Sequence, residues 1–257
     1  MFFDTNAHPT LDGNWLAGRK GQTFKEYSEE LKSIGGRGAY AVGLPGVGGY
    51  QHGAFFNESL RHDLVPVAGL RLDEAEDLKG QLDEIVKTGF QMVKIHPRLM
   101  GISHLERQLE DVLVECGNQG LKVLLCTYSA GTAGQLPATD PYYQICRALN
   151  RLPSMVLLLL HGGVTRLMDY SLLARHTSGV FLDLSYTIMK YRRSSLDSDI
   201  QFLVEDLDQK LTIGSDSPEY SLLDVSTVIS NYVGRSIESK KENVLYRNAL
   251  QFVNQNP

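Results

Sequence analysis

The sequence of 257 residues predicts a single-domain (β/α)8 barrel, a TIM barrel of the α/β class, spanning residues 1–257. Eight short apolar segments are typical of strands, segments with helical spacing separate most of them, and glycines follow several of the helices. Strict alternation of strand and helix implies a parallel sheet, and eight such units close into a barrel. The alternative is an open doubly wound sheet, which usually has fewer strands and needs a topological switch point that nothing in the sequence marks.

The predicted elements follow one another along the whole chain. The strand candidates are Phe2–His8, Gly38–Leu44, Leu64–Arg71, Gln91–His96, Lys122–Tyr128, Met155–His161, Val180–Tyr186 and Leu211–Asp216. Helical spacing is clearest over Glu74–Thr88 and Leu105–Gln119. Gly35, Gly89 and Gly120 follow helices at positions where a C-cap is expected.

Alternation along the strands predicts which side chains face the barrel axis, because residues two apart in a strand share a face. On the fourth strand Lys94 and His96 are expected to point inward, while Val93 and Ile95 face the helices. On the fifth strand Leu124, Cys126 and Tyr128 share one face. The same rule places three polar residues of the first strand on one face: Asp4, Asn6 and His8.

Two strand ends carry candidate catalytic residues. The apolar run at Met155–Leu160 leads into His161 and two glycines, which is typical of a buried strand followed by a tight turn. The last strand ends at Asp216. Because the carboxyl ends of barrel strands carry the catalytic residues of barrel enzymes, His161 and Asp216 are candidate acid–base residues. Their structural alternatives are a histidine that caps a core strand and an aspartate that caps a helix begun near Pro218.

Composition limits the partners and the compartment. The formal net charge is −5 and no basic stripe is present, so neither nucleic acid nor an anionic membrane is an expected partner. Three cysteines lie far apart, which favours a reducing compartment over a disulfide framework. No apolar run reaches the ~20 residues of a membrane span, and the first residues do not form a signal peptide. We expect a cytoplasmic protein, with a homodimer as the commonest kind of oligomer.

Six segments together resemble the amidohydrolase superfamily, in particular its amidohydrolase-related branch. They are DTNAHP on strand one, NESLRHDLVPVAGLRLDEAEDL around strand three, GFQMVKIHP on strand four, LLLLHGG on strand six, LTIGSDSP on strand eight and the closing helix ENVLYRNALQFV. The resemblance implies a metal-dependent barrel enzyme. Its expected activity is hydrolysis of an amide, lactone or ester, or non-oxidative decarboxylation, with a small anionic substrate.

The resemblance also implies a divalent metal, zinc first among them, with His8, Cys126, His161 and Asp216 as the candidate ligands. In the implied mechanism the metal activates a water, Asp216 takes its proton and His161 polarises the substrate carbonyl. Two positions depart from the family pattern. Asn6 replaces the first histidine of the strand-one His-x-His motif, and Cys126 (or, one residue later, Thr127) replaces the strand-five histidine. Cys126 is then either a thiolate ligand or an ordinary buried thiol.

Basic residues recur just after the strands and predict an anion site. Arg98, Arg166 and Lys94 are candidate ligands of a carboxylate or phosphate group, and Asn6 and His96 complete the predicted substrate-binding set. Ordinary acid-paired arginines are the structural alternative. Two other functions stay open. One is a barrel that lost its chemistry and serves as a binding or regulatory protein; the other is a metal-dependent nuclease or phosphoesterase, which requires a complete histidine set.

Overall fold

Eight parallel strands form one sheet with the order β1-β2-β3-β4-β5-β6-β7-β8. The computed structural model describes residues 2–71, 77–99, 108–128 and 141–255. The strands are β1 Phe3–Ala7, β2 Gly38–Val42, β3 Val65–Gly69, β4 Met92–Ile95, β5 Lys122–Cys126, β6 Leu157–Leu160, β7 Val180–Asp183 and β8 Leu211–Thr212. Each of the predicted strands is present, with some of the ends shortened.

Helices separate the strands. They are α1 Phe24–Ser33, α2 His52–Arg61, α3 Leu78–Thr88, α4 Gln108–Asn118, α5 Pro141–Arg151, α6 Leu167–His176, α7 Thr187–Lys190, α8 Leu196–Asp206, α9 Leu222–Val233, α10 Glu238–Glu242 and α11 Asn248–Asn254. The first residues of two predicted helices, 74–76 and 105–107, lie outside the described residues. Gly89 caps α3 in the left-handed conformation, as the sequence predicts. None of the helices in the described ranges has the length and apolar character that crossing a membrane requires.

Backbone hydrogen bonds join the first and last units of the sheet. Asp216 N donates to Asn6 O at 2.8 Å, and His8 N donates to Ser217 O at 3.0 Å. These bonds pair the two edges that an open sheet would leave exposed. The predicted (β/α)8 barrel is therefore confirmed, and the doubly wound alternative is excluded.

Two apolar layers pack against the two faces of the sheet. Val93 and Ile95 of β4 belong to the layer between the sheet and the helices, whereas Met92 of the same strand packs inside the barrel with Leu124 and Phe181. Each fully buried side chain of this size contributes about 1.5–3 kcal/mol relative to exposure. The predicted alternation of β4 is thus confirmed, and it directs Lys94 and His96 toward the cavity above this interior core.

The first strand departs from the predicted alternation. Its pairing with β2 shifts register between Asp4 and Ala7, which marks a bulge. As a result Asp4 points toward α1, where Tyr27 Oη donates to Asp4 Oδ2 at 2.8 Å. Asn6 and His8 enter the barrel. The expectation that Asp4 shares a face with Asn6 and His8 is therefore wrong, because a one-residue irregularity moves a side chain to the other face.

The last strand approaches β1 very closely. A Cβ atom added to Gly214, two residues after β8, would lie 2.7 Å from Asn6 N, so this position has to be glycine. The next helix, α9, takes its N-cap from Ser221, whose Oγ accepts a hydrogen bond from Asp224 N at 3.1 Å. Asp216 does not cap this helix, so the structural alternative in which Asp216 serves only as a helix N-cap is excluded.

Candidate active site

A cavity of about 210 Å³ opens at the carboxyl ends of the strands. Six side chains that the sequence analysis predicts, located at or just after the ends of β1, β4, β5, β6 and β8, converge on it: His8, Lys94, His96, Cys126, His161 and Asp216. Arg98 and three aromatic residues, Trp15, Tyr128 and Tyr186, line its walls. A concave pocket with several convergent titratable groups is the best candidate for an active site.

The two predicted arginines lie in different places. Arg98 lines the cavity, with its guanidinium 4.9 Å from the centre of the Tyr128 ring. Arg166 does not line it. Its Nε donates to Asp169 Oδ2 at 2.9 Å on the first turn of α6, and its guanidinium lies 5.2 Å from the Tyr142 ring. Of the two, only Arg98 is positioned to meet a ligand in this cavity.

His8 is a neutral imidazole whose tautomer follows from its partners. Its Nδ1 lies 2.8 Å from Val42 O, a carbonyl oxygen that can only accept, so Nδ1 carries the proton. Its Nε2 is then an acceptor and lies 3.0 Å from Lys94 Nζ. Burial, together with the charge of Lys94, lowers the pKa of His8 to about 4. His8 therefore stays neutral at pH 7 and accepts a hydrogen bond from Lys94.

Asn6 connects Lys94 to Asp216. Its Nδ2 donates to Asp216 Oδ1 at 2.7 Å and to Ser185 Oγ at 3.1 Å, and its Oδ1 accepts from Lys94 Nζ at 3.1 Å. The amide can adopt only this orientation, because a carboxylate accepts and an amino group donates. Lys94, which is 1% exposed, is thus held between the two strand-one positions of the family motif. Burial lowers the pKa of Lys94, and the negative charges of Cys126 and Asp216 oppose that effect.

His161 is held at the end of β6 by Ser185. Its Nδ1 lies 3.0 Å from Ser185 O, which can only accept, so Nδ1 donates and Nε2 is left for other partners. Burial alone would lower the pKa of His161. The negative charges of Cys126 and Asp216 overcome that effect and raise the pKa to about 9. His161 is therefore an imidazolium at pH 7.

Cys126 makes side-chain hydrogen bonds with both His161 and His96. It pairs in the sheet with Leu160, the residue before His161, so the ends of β5 and β6 place the thiol beside the imidazole. Burial disfavours the thiolate, but the two neighbouring imidazoles hold the pKa of Cys126 well below its usual range. A thiolate beside an imidazolium is the arrangement that makes a cysteine nucleophilic.

Asp216 supplies negative charge near His161 and Lys94. Its Oδ1 accepts from Asn6 Nδ2 and lies 3.7 Å from His8 Nε2. Burial alone would raise the pKa of Asp216, but the positive charges of His161 and Lys94 hold it well below the usual range. A carboxylate with so low a pKa is a weak base. Asp216 is therefore better suited to keeping His161 protonated than to taking a proton from water.

Three residues that line the cavity have left-handed backbone conformations. They are His161 (φ 66°), Tyr186 (φ 62°) and Asp216 (φ 56°). Residues other than glycine rarely adopt this region, and each instance costs about 1–3 kcal/mol. Such residues cluster at functional sites, where the surrounding structure holds them in place.

Two residues that the sequence analysis missed hold the site together. Ser185 contacts Asn6 through its hydroxyl and His161 through its carbonyl. Asp183, at the end of β7, accepts from Ser185 N at 2.9 Å through Oδ1 and from Thr5 Oγ1 at 2.6 Å through Oδ2. The available signal was the polar pair within the apolar strand candidate Val180–Tyr186, at the same end as the other site residues.

The donors do not fit the divalent metal that the family resemblance implies. Within the ranges that the structure describes, no three His, Cys, Asp or Glu side chains are arranged to hold a metal ion. A ligand must direct a lone pair at the ion. The lone pairs of His8 Nε2 and Asn6 Oδ1 are directed at Lys94 Nζ instead.

Fold and site together define a barrel with a polar, titratable cavity at its carboxyl end. An uncharacterized TIM-barrel protein from Bordetella bronchiseptica shares this fold at a TM-score of 0.77 and 17% identity, with 98% of each chain covered. A probable 2-pyrone-4,6-dicarboxylic acid hydrolase from Acinetobacter baumannii, with citric acid bound, shares it at 0.64 and 16% identity, again over 98% of each chain. A 2,6-dihydroxybenzoate decarboxylase complexed with 2,6-dihydroxybenzoate shares it at 0.64 and 12% identity over 99% of each chain.

The predicted resemblance to amidohydrolase-superfamily barrels is therefore confirmed for the fold. No known family model and no curated protein matches the sequence. At these identities the solved structures establish the architecture, and the chemistry has to be argued from the side chains.

The stability of the protein is expected to change little between about pH 6.5 and about pH 9, because the pKa shifts of His161 and Cys126 act in opposite directions. The folded-state pKa of His161, about 9, lies above its ordinary value of 6.5, so His161 alone would lose stabilisation as the pH rises through this range. The pKa of Cys126 lies well below its ordinary value of 9.0, so its thiolate gains stabilisation over the same range. Chemical denaturation at about pH 7 and about pH 8.5 measures the balance. A fall of more than about 1 kcal/mol in the wild type would contradict the pairing of a thiolate with an imidazolium.

Proposed function

We propose that the protein is a hydrolase of small anionic carbonyl compounds, acting on an ester, lactone or amide with Cys126 as the nucleophile. The observation that carries the proposal is the contact of Cys126 with His161 inside a cavity that also contains Lys94 and Arg98. This arrangement combines a nucleophile, an acid and positive charge for an anion.

The reaction divides into two steps. Cys126 Sγ attacks the carbonyl carbon and forms a C–S bond, while the carbonyl oxygen gains negative charge that Lys94 stabilises. The bond to the leaving alkoxide or amine then breaks, and the leaving group takes a proton from His161. In the second step water attacks the thioester, His161 accepts a proton, and the C–S bond breaks. One water is consumed, and the thiolate, the imidazolium and a carboxylic acid result.

The cavity fits a small anionic substrate. Its volume of about 210 Å³ admits only a compact molecule. Arg98, stacked over Tyr128, presents a guanidinium that can bind a carboxylate through two parallel hydrogen bonds. Two of the solved structures with this fold were determined with small carboxylic acids, citric acid and 2,6-dihydroxybenzoate. A carboxylate-bearing ester or lactone is accordingly the substrate class that we propose.

Hydrolysis is preferred to decarboxylation because a nucleophilic cysteine forms an acyl intermediate and has no evident role in losing carbon dioxide. Zinc, the predicted cofactor, has no part in the proposal, since the donors do not fit it. The predicted cytoplasmic location is consistent with the need for a reduced thiol, because a reducing compartment maintains it. A homodimer stays a prediction.

A substrate panel tests the proposal. Aryl esters and lactones that carry a carboxylate are compared with their neutral analogues in the presence of a chelator, and carbon dioxide release is followed with aromatic carboxylic acids. Hydrolysis of the anionic compounds is expected. Release of carbon dioxide without ester hydrolysis would replace the proposal with a decarboxylase. Binding of the acids without any turnover would favour the non-catalytic barrel.

Arg98→Ala and Lys94→Met are each expected to weaken binding of small carboxylates by about 1–3 kcal/mol, because each removes a charged hydrogen-bond donor. Arg166→Ala is the matched control, since that arginine pairs with Asp169 away from the cavity. Calorimetric titration at low and high salt measures the effect, and binding should weaken as salt rises. Equal losses in all three variants would contradict the assigned anion site.

A further inference from the structure

We infer that the amino group of Lys94 takes the place of the divalent cation that the family resemblance implies, so that the site is complete without a metal. The inference concerns metal binding and is independent of the reaction proposed above. It rests on where the side chain of Lys94 ends and on which atoms it contacts.

Lys94 Nζ meets both positions of the strand-one motif. It lies 3.1 Å from Asn6 Oδ1 and 3.0 Å from His8 Nε2. These are the two side chains that, as a His-x-His pair, are expected to hold a metal in the family that the sequence resembles. The amino group therefore donates hydrogen bonds to the same two lone pairs that would bind a metal ion.

Both partners are fixed in the orientation that serves a hydrogen-bond donor. Val42 O holds the His8 proton on Nδ1, which leaves the Nε2 lone pair facing Lys94. Asp216 Oδ1 and Ser185 Oγ accept from Asn6 Nδ2, which leaves Asn6 Oδ1 facing Lys94. Neither side chain has to move for the lysine contact, and the bonds around them stabilise these orientations.

The position of the amino group explains why this lysine excludes a metal. Lys94 is 1% exposed, and its stem comes from the interior strand β4, so the amino group cannot leave toward solvent. A divalent ion bonded to His8 Nε2 at about 2 Å would overlap the Lys94 amino group, which lies 3.0 Å from the same nitrogen. Asn6, which accepts from this amino group, donates to Asp216, so Lys94 is also linked to the carboxylate of the site.

Replacing asparagine and lysine together tests the inference. The double variant Asn6→His/Lys94→Gln restores the histidine pair and removes the cation. It is expected to take up about one more zinc or manganese ion per chain than the wild type, with three or more ligands available. The single variant Asn6→His retains Lys94 and is expected to show no such gain. Inductively coupled plasma mass spectrometry measures the metal content after dialysis. Thermal unfolding measures the shift of the unfolding temperature that added metal causes.

A comparison within the native site needs no redesigned chain. The wild type and His8→Ala are expected to hold the same amount of metal, because His8 binds none. A divalent ion that is present in the wild type and lost in His8→Ala would overturn the inference. So would a gain in Asn6→His as large as in the double variant, or no gain in a double variant whose circular dichroism shows it folded. None of these readouts depends on catalytic activity, so they separate this inference from the proposed hydrolase.

Discussion

Replacing Cys126 with alanine is expected to lower kcat/KM for an anionic ester by about 10⁴-fold or more, because the variant has no nucleophile to form the acyl intermediate. The buried thiol lies against His161 and His96, and no other cysteine lines the described cavity walls. Steady-state rates in the presence of a chelator measure the effect. A fall of less than tenfold would contradict a nucleophilic role.

Two further variants separate nucleophilic catalysis from packing. Cys146→Ala removes a half-buried thiol on α5 and is expected to leave the rate unchanged. Cys126→Ser retains the shape of the side chain, but its hydroxyl does not ionise near pH 7, so activity should stay far below that of the wild type. Unfolding curves of all the variants check that the barrel is intact.

Replacing Asp4 with alanine is expected to lower the free energy of unfolding by about 2–6 kcal/mol, because two buried N–H groups lose their acceptor at about 1–3 kcal/mol each. Asp4 Oδ1 accepts from Asn6 N at 3.1 Å and from Ser215 N at 2.7 Å, and its side chain is fully buried. It therefore ties the bulge of β1 to the segment that leads from β8 to Asp216. Urea denaturation measures the loss.

The matched control for this change is Asp83→Ala, an exposed aspartate on α3. It is expected to change stability by no more than about 0.5 kcal/mol, as surface substitutions usually do. Asp4→Asn keeps one acceptor oxygen and should recover part of the loss. An Asp4→Ala variant as stable as Asp83→Ala would show that Asp4 does not anchor the junction of β1 and β8.

The architecture could be predicted because the signals for it are local. Apolar runs, helical spacing and terminal glycines define each unit without reference to the others. The turn after β6 illustrates this: a Cβ atom added to Gly163 would lie 2.2 Å from the Tyr170 ring, and Gly163 has φ 74°. The two glycines after His161 therefore predict a tight turn from the sequence alone.

The irregularity of β1 could not be predicted from β1 alone. It depends on the closing contact with β8, where Gly214 lies against Asn6 and Ser215 contacts Asp4. The segment Asp4–Asn6 is polar at every position, so its own pattern does not determine which side chains face inward. The contact with the far end of the chain determines it. The error in placing Asp4 came from this long-range contact.

In the site, too, local signals could be predicted from the sequence and long-range contacts could not. Residue types at strand ends identified several members of the cavity, including Lys94, Cys126 and His161. Their relations could not be predicted, because whether Lys94 contacts a carboxylate, a ligand or His8 depends on side-chain geometry across several strands. The sequence therefore supported a metal with Cys126 among its ligands, whereas the structure places Cys126 with two imidazoles and Lys94 between Asn6 and His8.

Intact-protein mass spectrometry during turnover of an activated, carboxylate-bearing ester tests the central claim most directly. The reaction is run in the presence of a chelator and quenched in acid within the first turnover. The modified peptide is then sequenced. The account predicts an added acyl mass on Cys126 in the wild type, and none in Cys126→Ala. Turnover of the ester with no acyl group on Cys126, or activity that appears only when a divalent metal is added, would contradict it.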